Sequence, residues 1–325
     1  MRDFPNRSPM TASSATRTAW LQIHLCVVLW GFTAILGKLI SLPALPLVWW
    51  RMLLVVALLL LLPRVWRGLR AMPARLRWSY AGVGVLVALH WLTFYASIKL
   101  SNASVGATCL ALATVFTALI EPLTTGKRLS KREVGLGIAV LAGVALVAGG
   151  VRADMLIGVV VGTVSALFAA CFSSLNRRLV EHSDALSVTA LEMAAGVVAM
   201  TAIAPLTGLL SPAFGGNPFV LPDLRDSAYL LALAVACTLV PFAVSLMALR
   251  HLSAFGTQLA LNLEPLYAIG LAILLLGEQH ELTPTFYFGV AIILGAVLVY
   301  PLLVRPQKIG HPEILATGES RGIGE

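Results

Sequence analysis

Charge is what this chain has least of. Asp, Glu, Lys and Arg make up 12% of its 325 residues, where a soluble domain carries about 25%. Hydrophobic residues fill 58% of the positions and the mean hydropathy is +0.89. That is more apolar side chain than a soluble core of this length holds, which excludes a soluble globular fold. Paired cysteines are missing as well. Cys26, Cys109, Cys171 and Cys237 stand singly inside apolar segments with no Cys-X-X-Cys, so they read as small packing residues rather than metal ligands or disulfides. No GxSxG, HExxH or P-loop occurs. No catalytic site, cofactor or metal is therefore expected, nor ATP-driven transport by this chain alone. The formal net charge of +8 suggests a nucleic-acid partner only until the charges are located. They gather in short loops between apolar runs, where the positive-inside rule places them.

What the chain does have is a succession of apolar runs of about twenty residues, the length that crosses a bilayer. Breaks at charged residues, Pro and Gly predict ten spans, at 20–40, 45–62, 78–99, 104–125, 133–150, 156–176, 186–207, 228–249, 253–276 and 284–304. The run that begins at Trp20 is longer than a signal-peptide core and ends in no small-residue cleavage pattern, so it reads as a retained first helix. Of the 23 Lys and Arg residues, eighteen fall on one side of the predicted membrane, in the two tails and in the loops around 64–77, 127–132, 177–178 and 250. Lys38, Lys99, Arg152 and Arg225 fall on the other, and Arg51 lies within a span. This bias predicts cytoplasmic termini in a bacterial-type inner membrane. The predicted fold is all-α, with a cytoplasmic tail at 1–19, helices one to five at 20–150, helices six to ten at 156–304 and a second cytoplasmic tail at 305–325.

The second half echoes the first. Gly137 and Gly143 match Gly289 and Gly295 at an offset of 152, with apolar residues between. An offset of 151 pairs Lys99 with Arg250, Phe116 with Tyr267 and Gly126 with Gly277, and an offset of 141 pairs Trp50-Arg51-Met52 with Leu191-Glu192-Met193. Five spans per half place the second repeat upside down relative to the first. Inverted repeats of this kind carry a substrate site near the midplane of many secondary transporters.

Leu29-Trp30-Gly31 in the first span, the stretch from Ala88 to Ser101 through the third, Leu263 to Tyr267 followed by Leu276-Gly277-Glu278 in the ninth, and the Gly-rich closing spans resemble the EamA-like branch of the drug/metabolite transporter superfamily. The resemblance runs over about 20–304. It implies a ten-helix carrier of small metabolites, often an exporter of amino acids or related compounds. The first half departs from the pattern, with Thr114 where the second half has Pro265 and Gly126-Lys127 in place of Gly-Glu. The first span also has no carboxylate in the place of the proton-coupling glutamate of the small four-helix multidrug relatives, so proton antiport does not follow from the resemblance.

Ionisable groups at a helix centre in a bilayer cost about 2.5–3.5 kcal/mol on insertion scales, which makes Arg51, His90, Glu121, Glu192 and Glu264 the candidates. Glu264 stands beside Asn262 and before Pro265, which frees the Leu261 carbonyl and opens a polar break. A site role, holding a substrate ammonium group or a proton, is favoured for it over a structural one. His90, followed by Trp91, Phe94 and Tyr95, is balanced between a packing residue and a proton-coupling group, and Pro241 holds the matching place in the second half. Arg51 and Glu192 correspond by repeat but lie at different depths, so no salt bridge between them is expected. They are read as gate or coupling residues, with a buried structural role, or for Arg51 an anionic substrate group, as alternatives. Glu121 is read as pairing locally with Lys127 and Arg128. Trp30 and Tyr267 are read as aromatic walls, and Trp49, Trp50, Trp66 and Trp78 as an interfacial belt. Gly158 and Gly162, a GxxxG, are read as a close helix contact.

The function these readings predict is secondary transport, by export, of a small metabolite such as an amino acid, by alternating access. The expected site is Trp30, His90, Trp91, Tyr95, Asn262, Glu264 and Tyr267, with Arg51 and Glu192 for gating or coupling. The partners are a small molecule and the lipid bilayer, with proton coupling left open. Two other classes stay open, an intramembrane enzyme on a lipid-linked substrate and a non-transporting membrane scaffold. The first needs clustered His, Asp or Glu near one interface, and the sequence scatters them.

Overall fold

The computed structural model describes residues 12–125, 131–179, 183–248 and 260–303. Every regular element among them is helical: α1 (Ala12–Leu39), α2 (Ala44–Leu60), α3 (Pro63–Ala71), α4 (Ala74–Leu100), α5 (Ala103–Thr125), α6 (Lys131–Gly149), α7 (Leu156–Leu179), α8 (Ala185–Leu210), α9 (Leu224–Ala234), α10 (Val240–Ala248), α11 (Glu264–Leu276) and α12 (Pro284–Leu303). Six stretches are long and apolar enough to cross a membrane, in α1, α4, α5, α7 and α8 and along Leu224–Phe242. Shorter apolar helices run over Gly135–Gly149, Glu264–Leu276 and Pro284–Val299. The chain is a multi-pass membrane protein. Its outward surface carries leucines such as Leu209, Leu224 and Leu274, each at least 80% exposed, as lipid contact permits.

After α2 the chain bends by 95° into α3, an element that the loop reading of 63–77 does not contain. Pro63 stands in the first turn of α3, where its missing N–H costs nothing. Val65 is buried against the bundle, while Arg64, Arg67, Arg70 and Trp66 are exposed. Basic and aromatic residues outward and an apolar residue inward are the pattern of helices that lie in a membrane interface.

The most extensive helix contacts repeat in a pairwise order. α7 packs on α4 and α5, and α1 packs on α10 and α11. α4 packs on α8, and α2 on α9. α2 also meets α8, α5 meets α11, and α6 meets α12. Replacing each helix by its counterpart in the other half reproduces this set. The closest crossings rest on small residues, as expected where association in lipid depends on van der Waals fit. A Cβ on Gly84 of α4 would stand 2.2 Å from the Glu192 carbonyl oxygen of α8. A Cβ on Gly289 would stand 2.7 Å from the Gly143 oxygen, joining α12 to α6. Gly158 and Gly162 of α7 face Ser97 of α4, Ser101 just past it and Cys109 of α5, so this GxxxG makes contacts within the chain.

Polar side chains close the helix ends. Lys38, at the end of α1, donates to the Ser101 carbonyl just past α4 at 3.1 Å, and Lys99 of α4 donates in return to the Ile40 carbonyl just past α1. Both oxygens of buried Glu278 accept from the first amides of α5, Ala103 and Ser104, each at 2.8 Å, where a carboxylate also meets the positive end of the helix dipole. Asn102 donates to Glu281 at 3.0 Å. Asp226 accepts from the Ser41 amide at 2.9 Å and hydroxyl at 2.6 Å.

Two expectations change. Trp49 is buried rather than part of a belt: its indole donates to Thr201 at 2.9 Å and it meets Trp50 and Phe219 edge-on. The segment after α8 folds back over the start of α2, where Ala44 and Leu45 donate to the Ala213 and Phe214 carbonyls, and so covers Trp49. The eighth predicted span is not uniform either, since a π-turn at Val235–Leu239 separates α9 from α10.

The crossings give a paired test. Gly84→Ala is expected to lower the melting temperature of the purified protein, because its methyl meets backbone that cannot yield. Gly82→Ala, on the same helix with open space at its Cβ, is expected to leave the melting temperature unchanged or raise it. Fluorescence-detected thermal unfolding of the two variants checks both.

Candidate functional site

Arg51 enters the bundle from α2. Its residue is 3% exposed. The guanidinium lies over the Trp91 ring at 3.9 Å from the centroid, and Nη1 donates to the Tyr95 hydroxyl at 2.5 Å. Trp91 and Tyr95 are four residues apart on α4, so one helix face presents both. Nη2 and Nε donate to Thr238 Oγ1 at 2.8 and 3.3 Å. Thr238 sits in the π-turn, and its hydroxyl donates in turn to the Leu233 carbonyl five residues back at 2.8 Å. The widened turn delivers that hydroxyl to the arginine, a use to which π-turns are often put.

Glu264 opens α11. The preceding helical turn ends at Asn262 and Leu263, and Pro265 follows inside the first turn. Glu264 is half-buried and lines a cavity of about 10 Å³ with Trp30 and Ala34 of α1, Phe94 of α4, Ala107 and Leu110 of α5, and Pro265 and Ala268 of α11. That is room for about one water. Arg51 and Glu264 are near enough to interact electrostatically but form no ion pair. The ion pairs among the described residues are Arg64 with Asp184 and Arg152 with Asp154, both at helix ends.

The expected site residues separate into groups. Trp30 and Glu264 line the cavity, and Trp91 and Tyr95 hold Arg51. His90 is buried and turned toward α7, with Nδ1 2.9 Å from the Ser165 hydroxyl, while that hydroxyl is also 2.8 Å from the His90 carbonyl. Its ring meets Phe94 and Phe172. The ring is packed and its Nδ1 is hydrogen-bonded. Asn262 bridges helices, donating to the Val297 carbonyl and accepting from Thr114, both at 3.4 Å. Tyr267 faces α1, its hydroxyl 3.1 Å from His24 Nδ1. Glu192 is buried at the α4 crossing, meets Asn176 of α7, and has one oxygen without a hydrogen bond. It does not pair with Arg51. The side chain of Glu121, with Lys127 and Arg128, lies outside the described residues. No three His, Cys, Asp or Glu among the described residues stand together as metal ligands.

Thr238, Ser165 and His24 belong to this polar framework and were not singled out from the sequence. A threonine or serine in an apolar helix normally bonds to its own preceding turn, so its type alone does not reveal a partner on another helix. Pro241, three residues past Thr238, was the one local sign of irregularity.

The chain matches the EamA-like transporter family over residues 18–149 and again over 156–301. A crystal structure 18% identical in sequence superposes with a TM-score of 0.57, over 89% of this chain and 98% of its own, which shows a shared fold. No curated protein matches the chain.

The histidine contact is open to test. His90 Nδ1 also lies 3.0 Å from the Ser165 carbonyl, which Ser165→Ala keeps, so this variant loses only the hydroxyl contacts and is expected to destabilise the protein by about 0.5–1.5 kcal/mol, the net worth of one hydrogen bond. Chemical or thermal unfolding of the variant, compared with the wild type, measures it.

Proposed function

Because the chain belongs to the EamA-like transporter family, we propose that it is a secondary carrier of a small polar metabolite, such as an amino acid, and that it works as an exporter by alternating access. In this reading ten helices cross the membrane: the six long spans, α2, and the three shorter apolar helices. They form two inverted halves, 20–150 and 156–304, with the tails 1–19 and 305–325 in the cytoplasm of a bacterial-type inner membrane. The pairwise exchange of helix contacts supports the two-fold construction, and the arginines on and beside α3 support the orientation.

The observation that carries the reading is the cavity beside Glu264, where α1, α4 and α5 of one half meet α11 of the other. Two halves that rock about such a point expose it to each side in turn. Glu264 takes the ammonium group of the substrate or a proton, and Trp30 and Phe94 form apolar walls. Tyr267, with His24, braces α11 against α1. Asn262 and His90 hold α11 and α4 to their neighbours, and Arg51 and Glu192 stand on the helices that move. Chemistry on a lipid-linked substrate would need nucleophile and base side by side, and the described residues bring none together here.

Proteoliposomes loaded with single proteinogenic amino acids, assayed by counterflow of the labelled compound, test the reading. At least one amino acid is expected to exchange and to raise the melting temperature by mass action. Glu264→Gln is expected to cut that exchange at least about tenfold, the cost of one charged contact, while it elutes and melts as a folded protein. Absence of exchange for every amino acid defeats the amino-acid assignment, and wild-type exchange by Glu264→Gln removes Glu264 from the site.

A further inference from the structure

We propose that Arg51 is the subsite for the carboxylate of the substrate. Resting on the carrier reading above, this narrows the cargo to molecules that bear a carboxylate beside their ammonium group.

The argument starts from charge balance. A guanidinium stays protonated at any accessible pH, so Arg51 brings a full positive charge into a bundle of apolar helices. Its three partners, Trp91, Tyr95 and Thr238, are all neutral. They orient the group and cover its face, but they do not neutralise it. Glu264 feels the charge at a distance and does not close on it. Glu192, the counterpart of Arg51 in the repeat, meets Asn176 instead. An unpaired charge buried at membrane depth costs several kcal/mol, and a structural arginine would recover that cost by meeting a fixed carboxylate.

Donor count points the same way. A guanidinium has five N–H groups. Nε, Nη1 and Nη2 each make one hydrogen bond to the protein, which leaves one N–H on each terminal nitrogen. Two donors on one planar fork are what a carboxylate engages in a two-point contact. The fork is also held in place before anything binds, because the aromatic face beneath it and the π-turn hydroxyl beside it set its plane. Ordering the side chain therefore subtracts little from affinity.

Position completes the case. Arg51 is held by Tyr95, whose ring meets Phe94 edge-on at 5.4 Å, and Phe94 lines the small cavity that Glu264 borders. A cation and an anion that interact without pairing suit a molecule that brings the opposite charge to each. Such a substrate compensates both groups only when it is bound, and an α-amino acid zwitterion has that charge pattern.

Counterflow with leucine, phenylalanine and serine against leucinamide, phenylalaninamide and serinamide tests this, since each amide keeps the ammonium and side chain and loses only the carboxylate. The wild type is expected to prefer an acid over its amide at least about tenfold, as the loss of a charge-assisted two-point contact requires. Arg51→Gln is expected to raise KM for the acid by a similar factor and to bring the ratio of acid to amide near one, and Arg51→Lys to keep part of the preference. Equal exchange of acid and amide by the wild type overturns the carboxylate subsite while the carrier reading stands, and that measurement needs no variant to fold. A preference that survives Arg51→Gln, or exchange of none of the six compounds, overturns it as well. The broad amino-acid panel reads separately whether the carrier assignment falls with it.

Discussion

In hydrocarbon, a carbonyl or amide that leaves a helix has no water to turn to, and each one left alone costs several kcal/mol. The order of this bundle follows from that constraint. Where α1 and α4 stop, each lends a lysine to the carbonyl beyond the other's end. Where α5 begins, Glu278 reaches across from the segment after α11 to take two amides. Where the eighth span widens into a π-turn, Thr238 closes the gap to Leu233. These contacts tie helices within the first half, join one half to the other or close a break within a span, so the ends of the bundle are polar joints in an otherwise apolar body.

The same constraint shapes the middle. Helices that cross on Gly84, Gly143 and Gly289 come close enough to exclude lipid, and the few polar side chains left inside must satisfy one another. Ser165 with His90 does so at Nδ1. Arg51 does so only in part, because its partners are oriented but uncharged. Glu264, on a helix that starts at a break, borders the small space nearby. In the proposed carrier, a cargo would supply the half that these incompletely matched groups lack.

Hydropathy and loop charge made the membrane class and the apolar runs legible, since both are sums over neighbouring residues. The break before Glu264 was legible from Pro265 and Asn262, because proline's effect on its own backbone is local. Helix α3 was not, since nine residues rich in arginine read as a loop until the burial of Val65 shows an inward face. Trp49 was misjudged for a related reason: a tryptophan near a span end suits a belt, and only the segment folded over it makes it internal.

The sequence by itself determined that this protein lives in a bilayer, that its halves correspond, and where along its apolar runs each ionisable residue falls. That last position follows from counting residues at about 1.5 Å of rise each. Tertiary structure decided the rest: that His90 turns to Ser165, that Asn262 and Tyr267 brace other helices, and that Arg51 is held by Trp91, Tyr95 and Thr238. Those outcomes depend on the rotation of each helix about its axis and on which neighbour it meets. In a helix that is apolar all round, no hydrophobic face fixes that rotation, and only packing chooses it.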